Sequence, residues 1–224
     1  MKKLFYLLVI FLGHFVMAQD EITKPIGEFH EIKVFDAISV NLVKSDEYKV
    51  IISGEDKEKV VVVNNGDKLK IRMDINKIFE GKKTYVQVFY KGHLNLIDVN
   101  ENGFIGSSDV IEEVDLDIRG QEGGEVDLKI KTDRLKVRSV SGATIELNGS
   151  AKIQDIEVNT GGIYKGRDLQ TDQTSVSVNA GGNAEIFATD YAEAKVKAGG
   201  TIRVFGNPKV LDETKFIGGN IIKE

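Results

Sequence analysis

Apolar and polar residues alternate in short runs along nearly the whole chain, and glycines punctuate the runs. From Phe29 onward the runs are Ile32-Lys33-Val34, Ile38-Ser39-Val40-Asn41-Leu42, Lys49-Val50-Ile51-Ile52 and Val60-Val61-Val62-Val63. Asn65-Gly66-Asp67 is a hairpin-type turn signal, with an alternating strand behind it at residues 69–73 and another at 84–90. A period of two turns one side of each strand toward a core and leaves the other wet. Helix has no place except one turn near residues 56–59, and the unperiodic stretch 75–83 reads as a loop turning at Gly81.

The second half repeats itself. Gly123-Gly124, Ser141-Gly142, Gly161-Gly162, Gly181-Gly182, Gly199-Gly200 and Gly218-Gly219 recur about every nineteen residues, each between two short strands. A fixed period of that size marks a small unit stacked on copies of itself. The expected fold is all-β: a parallel β-helix or solenoid of about 19 residues per rung over residues 94–224. A less regular β-rich part over 27–93 caps its first rung. Like strands then stack at about 4.8 Å per layer, with Leu116, Leu135, Ile156 and Val176 in interior rows. Glycine at the corners serves a positive φ or a close approach of stacked backbones. An antiparallel sandwich of short strands is the competing architecture, but it does not require glycine pairs at a constant interval.

Composition narrows the function. Lys2 and Lys3, the apolar run from Leu4 to Phe15 and the small Ala18 read as an export signal over residues 1–18, cleaved after Ala18; an N-terminal membrane anchor is the alternative. That run is short for a span of about 20 residues, and no later segment is apolar enough to cross a bilayer. Residues 19–26 form a polar leader containing Pro25. The whole chain carries a net charge of −5 and loses two lysines with the signal, which leaves about −7. An acidic excess spread along the chain argues against nucleic acid and anionic membrane surfaces as partners. Cysteine is absent, which removes disulfides, thiol chemistry and thiolate metal ligation. The expected location is the periplasm, the outer surface or the extracellular space.

Two stretches carry a family likeness. The opening Ile26-Gly27-Glu28-Phe29-His30-Glu31-Ile32 and the corners from Val140 to Gly200 are followed by Phe205-Gly206-Asn207-Pro208 and Ile217-Gly218-Gly219-Asn220-Ile221. Their order and spacing over residues 26–222 resemble the head-GIN auto-transporter adhesin family, common in exported proteins of Bacteroidota. The resemblance implies a β-solenoid-like domain and a role in surface adhesion, and it brings no catalytic residues. The chain departs from the pattern at Asn100-Glu101-Asn102-Gly103 and Gln121-Glu122-Gly123, where wider or less regular corners are expected.

Candidate chemistry is sparse. His30 and His93 have no partner ligands at fixed spacing, so no metal site is expected. Asp115 with Asp117, Glu112 with Glu113, and Glu125 with Asp127 are paired carboxylates. Asp115 and Asp117 share one strand face and could flank a sugar or a hydrated Ca²⁺, or simply face solvent while Leu116 and Ile118 point inward. The glycine pairs lack both the Gly-Gly-x-Gly-x-Asp calcium repeat and the helix a phosphate loop needs. Ser141 lacks a nucleophile elbow. What remains is a surface: Lys129, Lys131, Lys136, Arg138, Lys195, Lys197 and Arg203 at outward positions, and Tyr164, Phe187 and Tyr191 as loop aromatics that either dock a sugar ring or a protein or are buried at corners or exposed singly. The expected function is a non-catalytic, adhesin-like binding module without cofactor or metal, recognising carbohydrate or a surface protein. The alternatives are a polysaccharide-acting enzyme of the β-helix type and a purely structural envelope protein.

Overall fold

The computed structural model describes residues 21–77 and 81–224. The expected export signal and the first two leader residues lie outside them. The chain begins with β1 (Ile22–Pro25), β2 (Glu31–Val34) and β3 (Ser39–Lys44). β4 (Lys49–Gly54), β5 (Val60–Asn65), β6 (Lys68–Met73) and β7 (Thr84–Tyr90) follow, with single 3₁₀ turns at Lys57–Lys59, Ile75–Lys77 and Gly81–Lys83. Then β8 (Leu96–Val99), β9 (Phe104–Ser107), β10 (Ile111–Gly120), β11 (Glu125–Ser139), β12 (Thr144–Val158) and β13 (Ile163–Lys165) climb a coil. β14 (Leu169–Val178), β15 (Asn183–Phe187), β16 (Tyr191–Ala198), β17 (Thr201–Phe205), β18 (Val210–Ile217) and β19 (Asn220–Lys223) complete it. The coil has about seven turns at roughly 19-residue spacing.

Parallel pairing in register makes the stack. Ile32 pairs with Ile97, Ile97 with Ile118, Ile118 with Val137, Val137 with Ile156, and Ile156 with Val176. All six are buried, so one interior row runs through six layers. Leu116 and Leu135 belong to the neighbouring row, which continues through Gln154 and Thr174. The strict alternation breaks once in β11, at Asp133 and Arg134, where both side chains point outward and the strand bends from one face of the coil to the next.

The residues before 94 supply both a rung and a cap. β2 and β3 form a full rung: β8 and β9 stack in parallel on one side of it, and β6 and β7 on the other. After that rung the chain leaves the coil, builds the cap, and returns at β8. In the cap β5 pairs antiparallel with β6, β4 with β7, and β1 with β4. The leader is therefore partly ordered as a strand, and Pro25 closes β1 at the outside of the cap, where its missing N–H breaks no central ladder.

The sharp corners share one geometry. Two consecutive residues take positive φ: Glu101 (53°) and Asn102 (57°), Glu122 (53°) and Gly123 (75°), Ser141 (51°) and Gly142 (76°). The first corners are thus no wider than the later ones. The left-handed step fixes the bend, and asparagine tolerates it nearly as well as glycine.

Candidate functional site

The acidic pair singled out from sequence lies on the outer face, as the inward burial of Leu116 and Ile118 requires. Each carboxylate is tied to an arginine. Arg134 forks onto Asp115, with Nη2 donating to Oδ2 at 2.7 Å, and Arg119 donates to Asp117 at 3.1 and 2.6 Å. The hydrogen bond from Arg134 holds the Asp115 carboxyl below the usual carboxylate range. Glu112 faces Lys131, and Glu113 accepts from the Leu94 N–H at 2.8 Å while lying 2.9 Å from His93 Nδ1. His30 pairs with Asp67, a contact that raises the imidazole pKa. Among the described residues no three acidic or imidazole side chains gather as a metal cage.

The expected aromatic docking loops also resolve differently. Tyr164 is fully buried, in the interior row between Ile145 and Ala184, and its hydroxyl donates to Gln154 Oε1 at 2.9 Å. Tyr191 is half-buried and donates to Asp212 at 2.8 Å; Phe187 is half-buried on β15. The basic residues do not align into a stripe. Lys136 stacks between Asp117 and Asp155, Arg138 sits next to Glu157, and Arg203 sits next to Glu185. Arg138 also neighbours Arg119, but Lys131, Lys136, Arg138 and Arg203 each lie beside an acid, so no continuous cationic track forms.

A depression of about 540 Å³ opens where the cap meets the coil. Its floor follows from two cross-strand rows. The first runs Ser53, Tyr85, Ser39, Phe104 and the second Ile51, Gln87, Asn41, Gly106, over β4, β7, β3 and β9. Phe104 is half-buried because its ring leans over Gly106, where a Cβ would come within 3.0 Å of it. Tyr85 stands two strands away, 53% exposed. The side chains of Ser39, Asn41, Ser53 and Gln87 make no hydrogen bond to another described residue, so their donors and acceptors face the depression unspent. One strand spacing of about 4.8 Å separates the ring over Gly106 from Asn41.

Sequence reasoning did not single out these residues. Each occupies an outward position of an alternating strand, but their meeting depends on pairing Ser39 with both Tyr85 and Phe104, which lie far along the chain.

The profile of a family described as "Putative auto-transporter adhesin, head GIN domain" matches residues 28–208. The chain belongs to that family. Three solved structures share the head-GIN chain's fold. A "putative adhesin" from Bacteroides fragilis is 22% identical with a TM-score of 0.83, over 92% of this chain and 97% of the other. A "putative adhesin" from Parabacteroides distasonis is 20% identical, TM-score 0.74, over 92% and 96%. A "putative lipid binding protein" from the same species is 19% identical, TM-score 0.72, over 92% and 96%. No curated protein matches the chain in sequence. Among the described residues no helix is long and apolar enough to cross a membrane.

Proposed function

We propose that this head-GIN domain is an exported, non-catalytic binding module at the cell envelope or surface, and that it binds carbohydrate in the depression between the cap and the coil. The observation that carries this reading is the grouping of two accessible aromatic rings with two amides and two hydroxyls that make no hydrogen bond to another described residue. Sugars present an apolar C–H face and a rim of hydroxyls. The Phe104 ring offers a platform for the first, and Asn41 and Gln87, each both donor and acceptor, suit the second. The adhesin names of the family and of its structural neighbours agree with a binding role. A glycan-cleaving role for Asp115 and Asp117 is disfavoured, since a general acid needs a raised pKa and Asp115 has a lowered one.

The test is a glycan array followed by calorimetry on the glycans that bind. Tyr85→Ala and Phe104→Ala should each weaken binding about tenfold, a loss of roughly 1.4 kcal/mol, and the glycan should be recovered uncut. Gly106→Val should act like Phe104→Ala by displacing the ring. Binding that survives all three substitutions, or glycans returned cleaved, would overturn the reading.

A further inference from the structure

The two ends of the coil are finished differently. At the first end, antiparallel β1, β4 and β5 cover the stack. At the other, β18 pairs only with β16, and β19 only with β17, so among the described residues each keeps one unpaired edge. Register assigns the interior side of β18 to Leu211, Glu213 and Lys215, which lie next to the buried Ala192, Ala194 and Val196. Two charges therefore stand where the three rungs directly below carry apolar side chains: Ala194, Val176 and Ile156 under Glu213, and Val196, Val178 and Val158 under Lys215. Phe216 and Ile217 are 70% and 76% exposed beside them.

Inward charges on an edge ordinarily block strand addition, because a partner would bury them. Here the two have opposite sign and lie two residues apart, with their own contact a loose 3.8 Å. An antiparallel copy of β18 centred on Thr214 sets Glu213 opposite the second copy's Lys215, and Lys215 opposite its Glu213. The same register sets Leu211 opposite Ile217. Both inward charges then meet their complements on the same face of the sheet, as antiparallel pairing demands. A two-fold axis perpendicular to the strand generates this arrangement and makes the contact self-complementary. Shifting the register by two residues in either direction breaks both ion pairs.

We propose that the open end is a homodimer interface, at which β18 of two copies pair antiparallel about Thr214 and join two coils end to end. The exposed edge then selects its own copy in one register and rejects other strands.

Charge exchange tests it on the full chain. Sedimentation across a concentration series should show a monomer–dimer equilibrium for the native protein. Glu213→Lys and Lys215→Glu should each be monomeric at concentrations where the native chain is dimeric. Mixing the two variants should restore a dimer, as should the double exchange within one chain. Thr214→Cys, in a chain with no other cysteine, should cross-link rapidly under mild oxidation, and Asp212→Cys should not. Circular dichroism separates loss of pairing from loss of fold. A native chain that stays monomeric at all concentrations, or single variants that still dimerise, would overturn the proposal.

Discussion

One methyl group is placed differently at successive corners, and the packing responds. A Cβ built on Gly182 would lie 2.8 Å from Val158 Cγ1 of the rung below, and one on Gly103 would lie 3.2 Å from Val34 Cγ1. Gly162 meets the Ser139 backbone carbonyl in the same way. At one corner the roles are exchanged: Ala143 carries the methyl and Gly120 below it has none, with 3.0 Å between the Ala143 Cβ and a Cβ added at Gly120. The first glycine of a pair differs, since a Cβ at Gly142 meets nothing within 4 Å and only its φ of 76° is unfavourable. Gly142→Ala should therefore cost about 1 kcal/mol, and Gly162→Ala about 2 kcal/mol or more because the rungs must part. Gly120→Val should destabilise, and adding Ala143→Gly should recover at least about 0.5 kcal/mol of the loss in a denaturant double-mutant cycle. Additive losses would refute the shared-methyl account. At the first corners the residue of interest is Glu101, whose pKa is raised by burial and by its hydrogen bond with Asp36, which also accepts from the Met73 N–H at 2.9 Å. A raised pKa in the folded state means a bound proton favours folding: this contribution is complete below the ordinary glutamate pKa and is lost as pH rises through the raised value. A glutamine here cannot lose that proton and keeps its donor as pH rises, so Glu101→Gln should raise the melting temperature at pH 7. The gain should vanish near pH 4, and an equal gain at both pH values would exclude the linkage.

At the level of elements, β12, β13 and β14 enclose a polar cluster inside an otherwise apolar coil. Gln154 continues the row of Leu116 and Leu135, donates to Thr174 Oγ1 at 2.8 Å and accepts from the Tyr164 hydroxyl. Burial pushes the Tyr164 phenol far above its ordinary pKa, so it is a donor at every physiological pH. Tyr164→Phe keeps the ring and leaves Gln154 Oε1 buried without that donor, at a cost of about 1–3 kcal/mol. Tyr164→Phe with Gln154→Leu should lose less than the two single losses together, as denaturant melts can measure; simple additivity would mean the cluster is not coupled. These strands also show why the sequence was readable where it was. Period-two alternation and the recurrence of corners are local, so the all-β coil and its spacing follow from residues within one rung. The sequence leaves Tyr164 open between a docking loop and a buried corner, because Gly161-Gly162 make its neighbourhood look like a loop. Its inward place follows only from the row Ile145, Tyr164, Ala184 and Ile202, where the small Ala184 leaves room for the ring. The strand pairing within the cap and the depression were illegible for a related reason. Ile32 finds Leu69 and Ser39 finds Tyr85, pairings that no repeat announces.

For the whole molecule, a coil bound by nearest-neighbour contacts depends on how its ends are closed. The cap closes the first end with strands that run the other way. At the second end the last rung keeps an unpaired edge but sets Glu213 and Lys215 over the interior in place of the alanine and valine below them, which restricts what can pair there. Ala192, Ala194, Val196, Ile202 and Val204 have no exposure at all while β18 and β19 cover them. A chain stopped at residue 209 keeps every rung below that point, but it converts those five residues into an apolar edge with free backbone donors and acceptors, the arrangement that recruits other strands. Such a variant should show native far-ultraviolet circular dichroism at low concentration and scatter light increasingly as concentration rises. Adding charges at the new end, with Ala194→Glu and Val196→Lys in the shortened chain, should suppress the scattering by recreating the pattern of the natural last rung. Equal aggregation with and without those charges would show that the inward pair of the last rung does not serve as a cap.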